Sequence, residues 1–340
     1  MISPAPMPRP SPFLLAPIAL ALAVPASAAT PDPQLAKASP YRTLAALEAR
    51  VAAIGFRLTT ANAGWCPAKQ AQYGWIWGDP RLYDEAKRSE ALAAYDAAAF
   101  DLPFLAAVAP GSPAAEAGLH AGETITAIDD AAIVVPADRD DPFARITALE
   151  TRMAATPLDT ATIVSNVATR FALRPVAGCA SDFRVEARDA ESGAADGRLV
   201  LISAGLAAFA ADDDELAAAV AHELAHNILR HRERLDAAGV DRGMFQNFGR
   251  SARLFRQTEI EADRLSVWLM RGAGYDPKAA IRFWERFGTR NGPVLIQPGT
   301  HPRWGDRVKS FEEEIAAIEA ADAAGQPLHP PLIDAPPPLE

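Results

Sequence analysis

The sequence predicts an α+β fold, in which a β-rich unit of residues 41–176 precedes a mainly helical unit of residues 177–324 with a small sheet. Two observations carry this prediction. In the first unit, short apolar stretches alternate with turns that contain glycine and proline, which is typical of strands. In the second unit, small and apolar residues recur with the period of a helix over long segments. The 340 residues are enough for two domains of ordinary size.

The middle of the first unit is predicted to contain a strand, a tight turn, a short helix and another strand in that order. Residues 104–109 are apolar, residues 110–113 read Pro-Gly-Ser-Pro, and an alanine-rich stretch leads to a second glycine turn and to residues 125–128. The run GSPAAEAGLHAGETI resembles the middle of a PDZ domain. PDZ domains bind peptide ends by strand addition, and the resemblance implies that residues 54–58 supply the loop for the peptide carboxylate.

The second unit begins with two predicted strands. Residues 183–188 alternate between polar and apolar, residues 199–203 are almost entirely apolar, and Asp196-Gly197 marks a turn between them. We expect these strands to form a small sheet beside the helices that follow. The tail of residues 325–340 contains two runs of prolines and no apolar period, so it is predicted to be disordered.

The first long helix of the second unit carries the motif HELAH at residues 222–226. Asp212, with a glutamate three residues later, predicts where this helix begins. His222 and His226 lie on one side of a helix, where they can bind one metal ion, and Glu223 beside them can act on a water molecule. By chance the pattern is expected roughly 0.01 times in this composition. The alternative is an exposed polar face with two histidines, which the apolar neighbours disfavour because they require burial.

A second helical segment, residues 258–270, supplies the predicted third ligand. Glu259 and Asp263 are four residues apart and share one face of the helix. We expect Glu259 to bind the metal and Asp263 to accept a hydrogen bond from a ligand histidine. Glu261 lies about 200° around the helix from Glu259, so the two cannot face the same site. The alternative is a solvated acidic face whose charges are balanced by neighbouring arginines.

One class of zinc peptidase is excluded by the residues that follow the second histidine. Its extended motif requires a glycine three residues later and a third histidine six residues later, where this chain has Leu229 and Arg232. His231 is one residue out of place, and its position in the basic run of residues 230–232 favours a solvated role. The third ligand is therefore predicted to be a glutamate.

Four motifs in a fixed order resemble those of the HtpX/BepA-like zinc metallopeptidases. They are HELAH at 222–226, EIEAD at 259–263, GYDP at 274–277, and His301-Pro302 followed by Arg307. The resemblance covers most of the second unit and implies a gluzincin-type domain with one Zn²⁺ per chain. It implies that His222, His226 and Glu259 are the zinc ligands, that Glu223 is the catalytic base and that Asp263 orients a ligand.

The last of these motifs leaves two roles open. In relatives, a histidine at the position of His301 can approach the zinc ion, so the resemblance implies an additional or regulatory ligand; a loop residue before a proline turn is the alternative. Arg307 can bind the substrate backbone or a carboxylate. It can equally form a salt bridge on the helix surface with Glu312 or Glu313.

The expected function is hydrolysis of peptide bonds in protein substrates by a zinc endopeptidase. Misfolded proteins of the cell envelope are the expected substrates, which implies a role in protein quality control. The alternative is a chaperone or binding protein in which the PDZ-like unit captures peptide ends and proteolysis is latent. A metal-free interaction protein is disfavoured because the motifs for zinc binding are complete.

The N-terminus predicts export. Arg9 precedes an apolar run over residues 13–24, and the small residues 26–28 form a cleavage pattern, so residues 1–28 are expected to be a signal peptide. The run is too short to span a membrane. We expect an exported protein of the bacterial periplasm, with no transmembrane segment in the mature chain. A net charge of −10 argues against nucleic acid as a partner.

The chain has two cysteines, Cys66 and Cys179. In an oxidising compartment they are predicted to form a disulfide across a long loop. Zinc ligation is one alternative, although neither cysteine belongs to a C-x-x-C pair. Two free, buried cysteines are the other alternative.

Overall fold

The structure is a computed structural model that describes residues 39–98, 101–133, 141–166, 168–240, 249–291 and 303–339. The predicted signal peptide of residues 1–28 and the candidate ligand His301 lie outside these ranges.

The described residues contain helices in both units and a series of short strands. The helices are α1 (Pro40–Ala61), α2 (Glu85–Ala94), α3 (Pro113–Glu116), α4 (Ala144–Ala154), α5 (Ala204–Phe209), α6 (Asp213–Ile228), α7 (His231–Ala237), α8 (Gly249–Gly272), α9 (Lys278–Asn291), α10 (Trp304–Ala323) and α11 (Pro331–Asp334). The strands are β1 (Lys69–Gln72), β2 (Trp75–Gly78), β3 (Phe104–Val108), β4 (Ala127–Ile128), β5 (Ala131–Ala132), β6 (Thr162–Ser165), β7 (Arg170–Leu173), β8 (Val176–Cys179), β9 (Asp182–Glu186), β10 (Gly193–Ala195) and β11 (Leu199–Ser203).

The larger hydrophobic core surrounds helix α6. The side chain of Asp212 accepts a hydrogen bond from the backbone N–H of Glu215 at 2.8 Å, so the helix begins where the sequence predicts. Leu216, Val220 and Leu224 are fully buried, and α6 packs against α1, α8 and α9. The motif HELAH is therefore carried by a helix that its neighbours hold on several sides.

Helix α1, whose residues 41–61 were assigned to the β-rich unit from the sequence, packs in this larger core and also contacts β2 and β3. Ile54 and Leu58 are at most 1% exposed and contact the core around α6. Residues 54–58 are helical, so the prediction that they form a carboxylate-binding loop is wrong. Gly55 is explained by close packing instead, because an added Cβ would lie 2.7 Å from the ring of Phe183.

The β-rich unit has a smaller core of its own. Strands β2 and β3 pair antiparallel, and β5, β4, β6 and β7 form a four-stranded sheet in that order. Leu105, Ile125 and Ile146 are buried between these elements and α4. The side chain of Ser112 accepts a hydrogen bond from the N–H of Ala115 at the start of α3. The strand, the turn and the short helix thus follow the order predicted from the sequence.

The two units are connected by a strand pair, a disulfide and an ion pair. β1 pairs antiparallel with β8, and Cys66 and Cys179 are joined by a disulfide next to this pair. Arg184 of β9 and Glu150 of α4 form an ion pair with 2.6 Å between Nη2 and an Oε atom. The predicted boundary at residue 176 therefore falls on a strand that ties the units together.

The small sheet beside α6 has the strand order β10-β11-β9. β9 and β11 are the predicted strands, and they pair in parallel. β10 pairs antiparallel with β11 and forms an edge of the sheet. It was not predicted, because its sequence of glycine and alanine has little strand preference.

The C-terminal segment packs on the helices, so the prediction of a disordered tail is wrong for residues 325–339. Helix α11 places Leu332 in the larger core. The guanidinium of Arg234 donates to the carbonyl of Pro337 at 2.6 Å, and the amide of Gln257 donates to the carbonyl of Pro338 at 2.9 Å. Proline lacks a backbone donor but keeps its carbonyl acceptor, so a proline-rich segment can still bind these side chains.

Candidate metal centre

His222, His226 and Glu259 bring three ligand atoms together between α6 and α8. The two Nε2 atoms are 3.2 Å apart, and oxygens of Glu259 lie 3.4 Å from Nε2 of His222 and 3.5 Å from Nε2 of His226. Ligands about 2.0–2.1 Å from a tetrahedral zinc ion are separated by roughly 3.3–3.4 Å. The donor set and its spacing therefore fit zinc, and three protein ligands are the usual number at a catalytic zinc site.

Glu223 faces the same cavity from α6 and contacts the edge strand β10. An added Cβ on Gly193 would lie 2.8 Å from the carboxylate carbon of Glu223, so a larger residue there would require the carboxylate to shift. Burial raises the pKa of Glu223 to about 7, while the charge on His222 opposes this shift and that of Glu259 adds to it. A carboxylate with a pKa near neutrality can both accept and return a proton at pH 7.

Asp263 holds His222 on the side away from Glu259. Oδ1 of Asp263 lies 2.9 Å from Nδ1 of His222 and accepts a hydrogen bond from Nη2 of Arg307 at 2.5 Å. Burial alone would lower the pKa of His222, but hydrogen bonds to Asp263 and Glu259 raise it to about 10. A carboxylate bonded to Nδ1 fixes the ring orientation and leaves Nε2 for the metal.

Arg307 is buried, although a substrate-binding or surface role was predicted for it. Its side chain is 2% exposed, and its guanidinium carbon lies 3.5 Å from the ring centroid of Trp284. A salt bridge on the helix surface with Glu312 or Glu313 requires an exposed guanidinium, so that prediction is wrong. Arg307 also lines the cavity beside the three ligands, and its role in substrate binding stays a prediction. Helix α10 presents Arg307 to the interior, where it pairs with Asp263.

His231 is also buried, and the predicted solvated role is wrong. Its side chain is 2% exposed; its Nδ1 lies 2.9 Å from Nδ1 of His226, and its Nε2 lies 3.1 Å from Oε2 of Glu261. Burial lowers the pKa of both histidines, although Glu261 acts in the opposite direction on His231. Arg230 separates α6 from α7 in a left-handed conformation, φ 54° and ψ 40°, which turns His231 back towards the site.

A cavity of about 110 Å³ lies beside the three ligands. Strand β10 lines one side of it, and Leu206, Trp284, Phe287 and Trp304 line an apolar side. The rings of Trp284 and Trp304 are stacked, with 6.0 Å between their centroids. The cavity thus combines a polar centre, a strand edge and an aromatic wall.

The sequence contained a signal for some of the residues that were missed. In α9, Ala280, Phe283, Trp284 and Phe287 follow the spacing of an apolar helix face, and this spacing predicts that the tryptophan is buried. Gly193 carried no comparable signal, because its role depends on contact with another element. The predicted role of His301 as a ligand lies outside the described residues and stays a prediction.

Comparison with known proteins agrees with this site. Peptidase family M48 matches residues 187–255 and 238–315. The mitochondrial metalloendopeptidase OMA1 of Schizosaccharomyces pombe is 31% identical over 138 residues, which cover 34% of this chain and 41% of the relative. The OMA1 of Saccharomyces cerevisiae is 28% identical over 142 residues, which cover 34% of this chain and 41% of the relative. The OMA1 of Arabidopsis thaliana is 28% identical over 142 residues, which cover 36% of this chain and 28% of the relative. The chain thus spans about two fifths or less of the length of these curated relatives.

An HExxH helix and a glutamate on a second helix form a centre of the zinc-metallopeptidase type, and the matched relatives are named metalloendopeptidases. The residues that form this centre lie within the part of the chain that matches the model of Peptidase family M48.

The predicted location in a bacterial periplasm is contradicted by these relatives, which are named as mitochondrial enzymes. The first 31 residues contain a basic residue, many small residues and no acid. Mitochondrial presequences are also poor in acidic residues, so this feature does not separate them from secretory signals. Among the residues that the structure describes, no helix is both long and apolar enough to cross a bilayer.

Proposed function

We propose that this chain hydrolyses internal peptide bonds of protein substrates at one zinc ion held by His222, His226 and Glu259. The observation that carries the proposal is the spacing of the three ligand atoms at 3.2–3.5 Å, which fits a zinc tetrahedron. Glu223 lines the same cavity and is placed to act on the reacting groups. The M48 and OMA1 matches support the same activity and favour it over a binding protein with latent proteolysis.

Zinc in this site supplies Lewis-acid activation of a peptide carbonyl and of a water molecule. Glu223 accepts the proton of the attacking water and then donates it to the leaving amine. Burial raises the pKa of this carboxyl, and general acid–base catalysis is most efficient when the pKa of the group lies near the working pH. Asp263 holds His222 with Nε2 directed at the ligand cluster.

The edge strand β10 is proposed to bind the substrate backbone. In the described sheet, β10 pairs with β11 on one side, and its residues line the cavity on the other. An edge strand offers unpaired N–H and C=O groups to which an extended peptide can add as a further strand. Because Gly193 contacts Glu223, a peptide paired with β10 would lie beside the catalytic base.

The apolar wall of the cavity favours an apolar side chain next to the bond that is cleaved. Leu206, Phe287 and Trp304 form this wall, and such walls bind apolar groups by excluding water from both surfaces. Extended segments with exposed large apolar side chains are rare in folded proteins, which bury these residues. This preference supports a role in protein quality control, with misfolded proteins as substrates.

The β-rich unit is proposed to be a PDZ-like module that recruits or restrains substrates. The order of β3, the turn at Ser112 and α3 supports the resemblance. The ion pair of Arg184 and Glu150 couples this module to the strand β9 of the metallopeptidase sheet, so a ligand on the module can affect the neighbouring sheet.

Cleavage of casein by zinc-loaded protein tests the proposed activity. Glu223→Gln keeps a polar side chain of the same size but removes the base, so it should retain one zinc ion and lose about 10²- to 10⁴-fold in rate. Glu312→Gln on the exposed side of α10 is the matched control. Mass spectrometry of the fragments should show internal cuts next to apolar residues. Parent-like cleavage by zinc-loaded Glu223→Gln would refute the proposal.

A further inference from the structure

His226 is connected to a buried carboxylate through a second histidine. Nδ1 of His231 lies 2.9 Å from Nδ1 of His226, and Nε2 of His231 lies 3.1 Å from Oε2 of Glu261. His231 and Glu261 are both 2% exposed. The other ligand histidine, His222, contacts the carboxylate of Asp263 directly. The two imidazoles of the metal centre are thus supported in different ways.

When a metal is bound, hydrogen-bond chemistry allows one arrangement of the protons on His226 and His231. Nε2 of His226 faces His222 and Glu259 and must be free of a proton to bind a metal. Its Nδ1 then carries the proton and donates it to Nδ1 of His231. The proton of His231 is therefore on Nε2, which donates to Glu261. Each of the four ring nitrogens of His226 and His231 has a partner in this arrangement.

Glu261 is itself held by two donors. Nη1 of Arg234 lies 2.5 Å from Oε2 of Glu261, and Nε2 of Gln257 lies 3.0 Å from Oε1. Arg234 and Gln257 also donate to the carbonyls of Pro337 and Pro338. The carboxylate is consequently fixed in position and faces His231, with the C-terminal segment covering the donors.

The backbone conformation of Arg230 brings the side chain of His231 close to His226. Five residues along a continuous helix would turn His231 about 140° away from His226. The helix instead breaks at Arg230, where a non-glycine residue adopts the left-handed conformation with φ 54°. Such a conformation is uncommon for arginine, and here its effect is to face the two Nδ1 atoms towards each other.

We propose that His231 is a positioning residue for the metal centre, which transmits the negative charge of Glu261 to His226 and fixes its orientation for zinc. The inference rests on the proposed function and deepens it. A carboxylate in hydrogen-bond contact with a ligand imidazole strengthens metal binding. In this chain one imidazole receives that support directly, from Asp263, and the other receives it through His231.

The zinc dissociation constant, measured by competition with a chromophoric chelator, tests this inference. His231→Leu removes the acceptor for His226 and should weaken zinc binding by about 10- to 100-fold. His231→Asn keeps an acceptor near the position of Nδ1 but loses the contact with Glu261, and should recover part of the affinity. His120→Leu, at an exposed histidine of the β-rich unit, is the matched control and should leave the affinity unchanged.

A double-mutant cycle separates a positioning role from a general effect on folding. If Glu261 acts through His231, Glu261→Gln should weaken zinc binding in the parent but have little further effect in His231→Leu. The Co²⁺ absorption spectrum should change in His231→Leu and return towards that of the parent in His231→Asn. Far-UV circular dichroism in chelator verifies that each variant is folded. Should His231→Leu fail to fold, His231→Asn and Glu261→Gln carry the test.

Two results would overturn the inference. The first is a folded His231→Leu that binds zinc within about twofold of the parent, given the 10-fold loss expected. If His231→Leu does not fold, a folded Glu261→Gln with the zinc affinity of the parent has the same meaning. The second is full additivity of the His231 and Glu261 variants. Either result leaves intact the zinc content of the parent and the dependence of casein cleavage on Glu223. Failure of the proposed function would instead appear as a parent that binds no zinc, or as casein cleavage by Glu223→Gln at the rate of the parent.

Discussion

The α-carbon of Gly193 faces the carboxylate of Glu223 so closely that an added Cβ would lie 2.8 Å from the carboxylate carbon. This contact joins the edge strand β10 to the catalytic helix α6. It sets the distance between the strand proposed to bind substrate and the group proposed to move protons.

Substitution of Gly193 by alanine should therefore displace Glu223 without removing a ligand. We expect Gly193→Ala to retain one zinc ion and to lose at least tenfold in kcat, because general acid–base catalysis depends on hydrogen-bond reach. Gly64→Ala, where the added Cβ meets nothing within 4 Å, is the control and should keep the parent rate. Unchanged kcat in Gly193→Ala would show that the contact does not position the base.

Loss of the charge on Asp263 should weaken metal binding. Asp263→Asn keeps an oxygen near Nδ1 of His222 but removes the carboxylate that supports it and that pairs with Arg307. We expect the zinc dissociation constant to rise by about 10- to 100-fold. Asp322→Asn, on the outer part of α10, serves as the matched control and should bind zinc as the parent does. Equal affinities of the parent and Asp263→Asn would contradict the assigned role.

Glu48 in α1 should make the stability of the protein depend on pH. Burial raises its pKa from 4.5 to about 7, against the smaller effect of the Tyr95 hydroxyl. The folded protein then holds this proton more tightly than the unfolded chain. The resulting stability is present below pH 4.5 and is lost as the pH rises through 7.

We expect the free energy of unfolding of the parent to fall between pH 4.5 and 8 by up to about 3 kcal/mol more than that of Glu48→Gln, which cannot ionise. Urea titrations of both proteins in chelator measure this difference without a contribution from metal binding. Parallel pH profiles of the two proteins would contradict the raised pKa.

The disulfide of Cys66 and Cys179 should contribute to stability mainly by restricting the unfolded chain. The two cysteines are 113 residues apart, and closing a loop of that length is worth about 2–5 kcal/mol. Replacing both cysteines by alanine should lower the free energy of unfolding by this amount. Alkylation of two free thiols in unreduced, denatured protein would show that the bond is absent.

Helix periodicity made much of the site predictable. His222 and His226 on one segment, and Glu259 and Asp263 on another, are each four residues apart, and the structure places both pairs on facing sides of α6 and α8. Spacing within one helix depends only on the backbone geometry. Glu261, on another side of α8, is not among the three ligands and contacts His231 instead.

The remaining features depend on contacts between segments that are distant in sequence. His231 reaches the site because Arg230 adopts a left-handed conformation, which nothing in the sequence of an arginine indicates. β10 is a strand because β11 pairs with it, and its own residues have little preference for that state. The sequence placed Arg307 in a motif of the site. Its pairing with Asp263 depends on which face of α10 packs towards the interior.

Anomalous diffraction at the zinc absorption edge, from crystals of protein loaded with one equivalent of zinc, locates the metal ion in the protein. We expect a single strong peak about 2.0–2.1 Å from Nε2 of His222 and from Nε2 of His226, and at a similar distance from an oxygen of Glu259. A peak on other residues, or none at these three, would contradict this expectation.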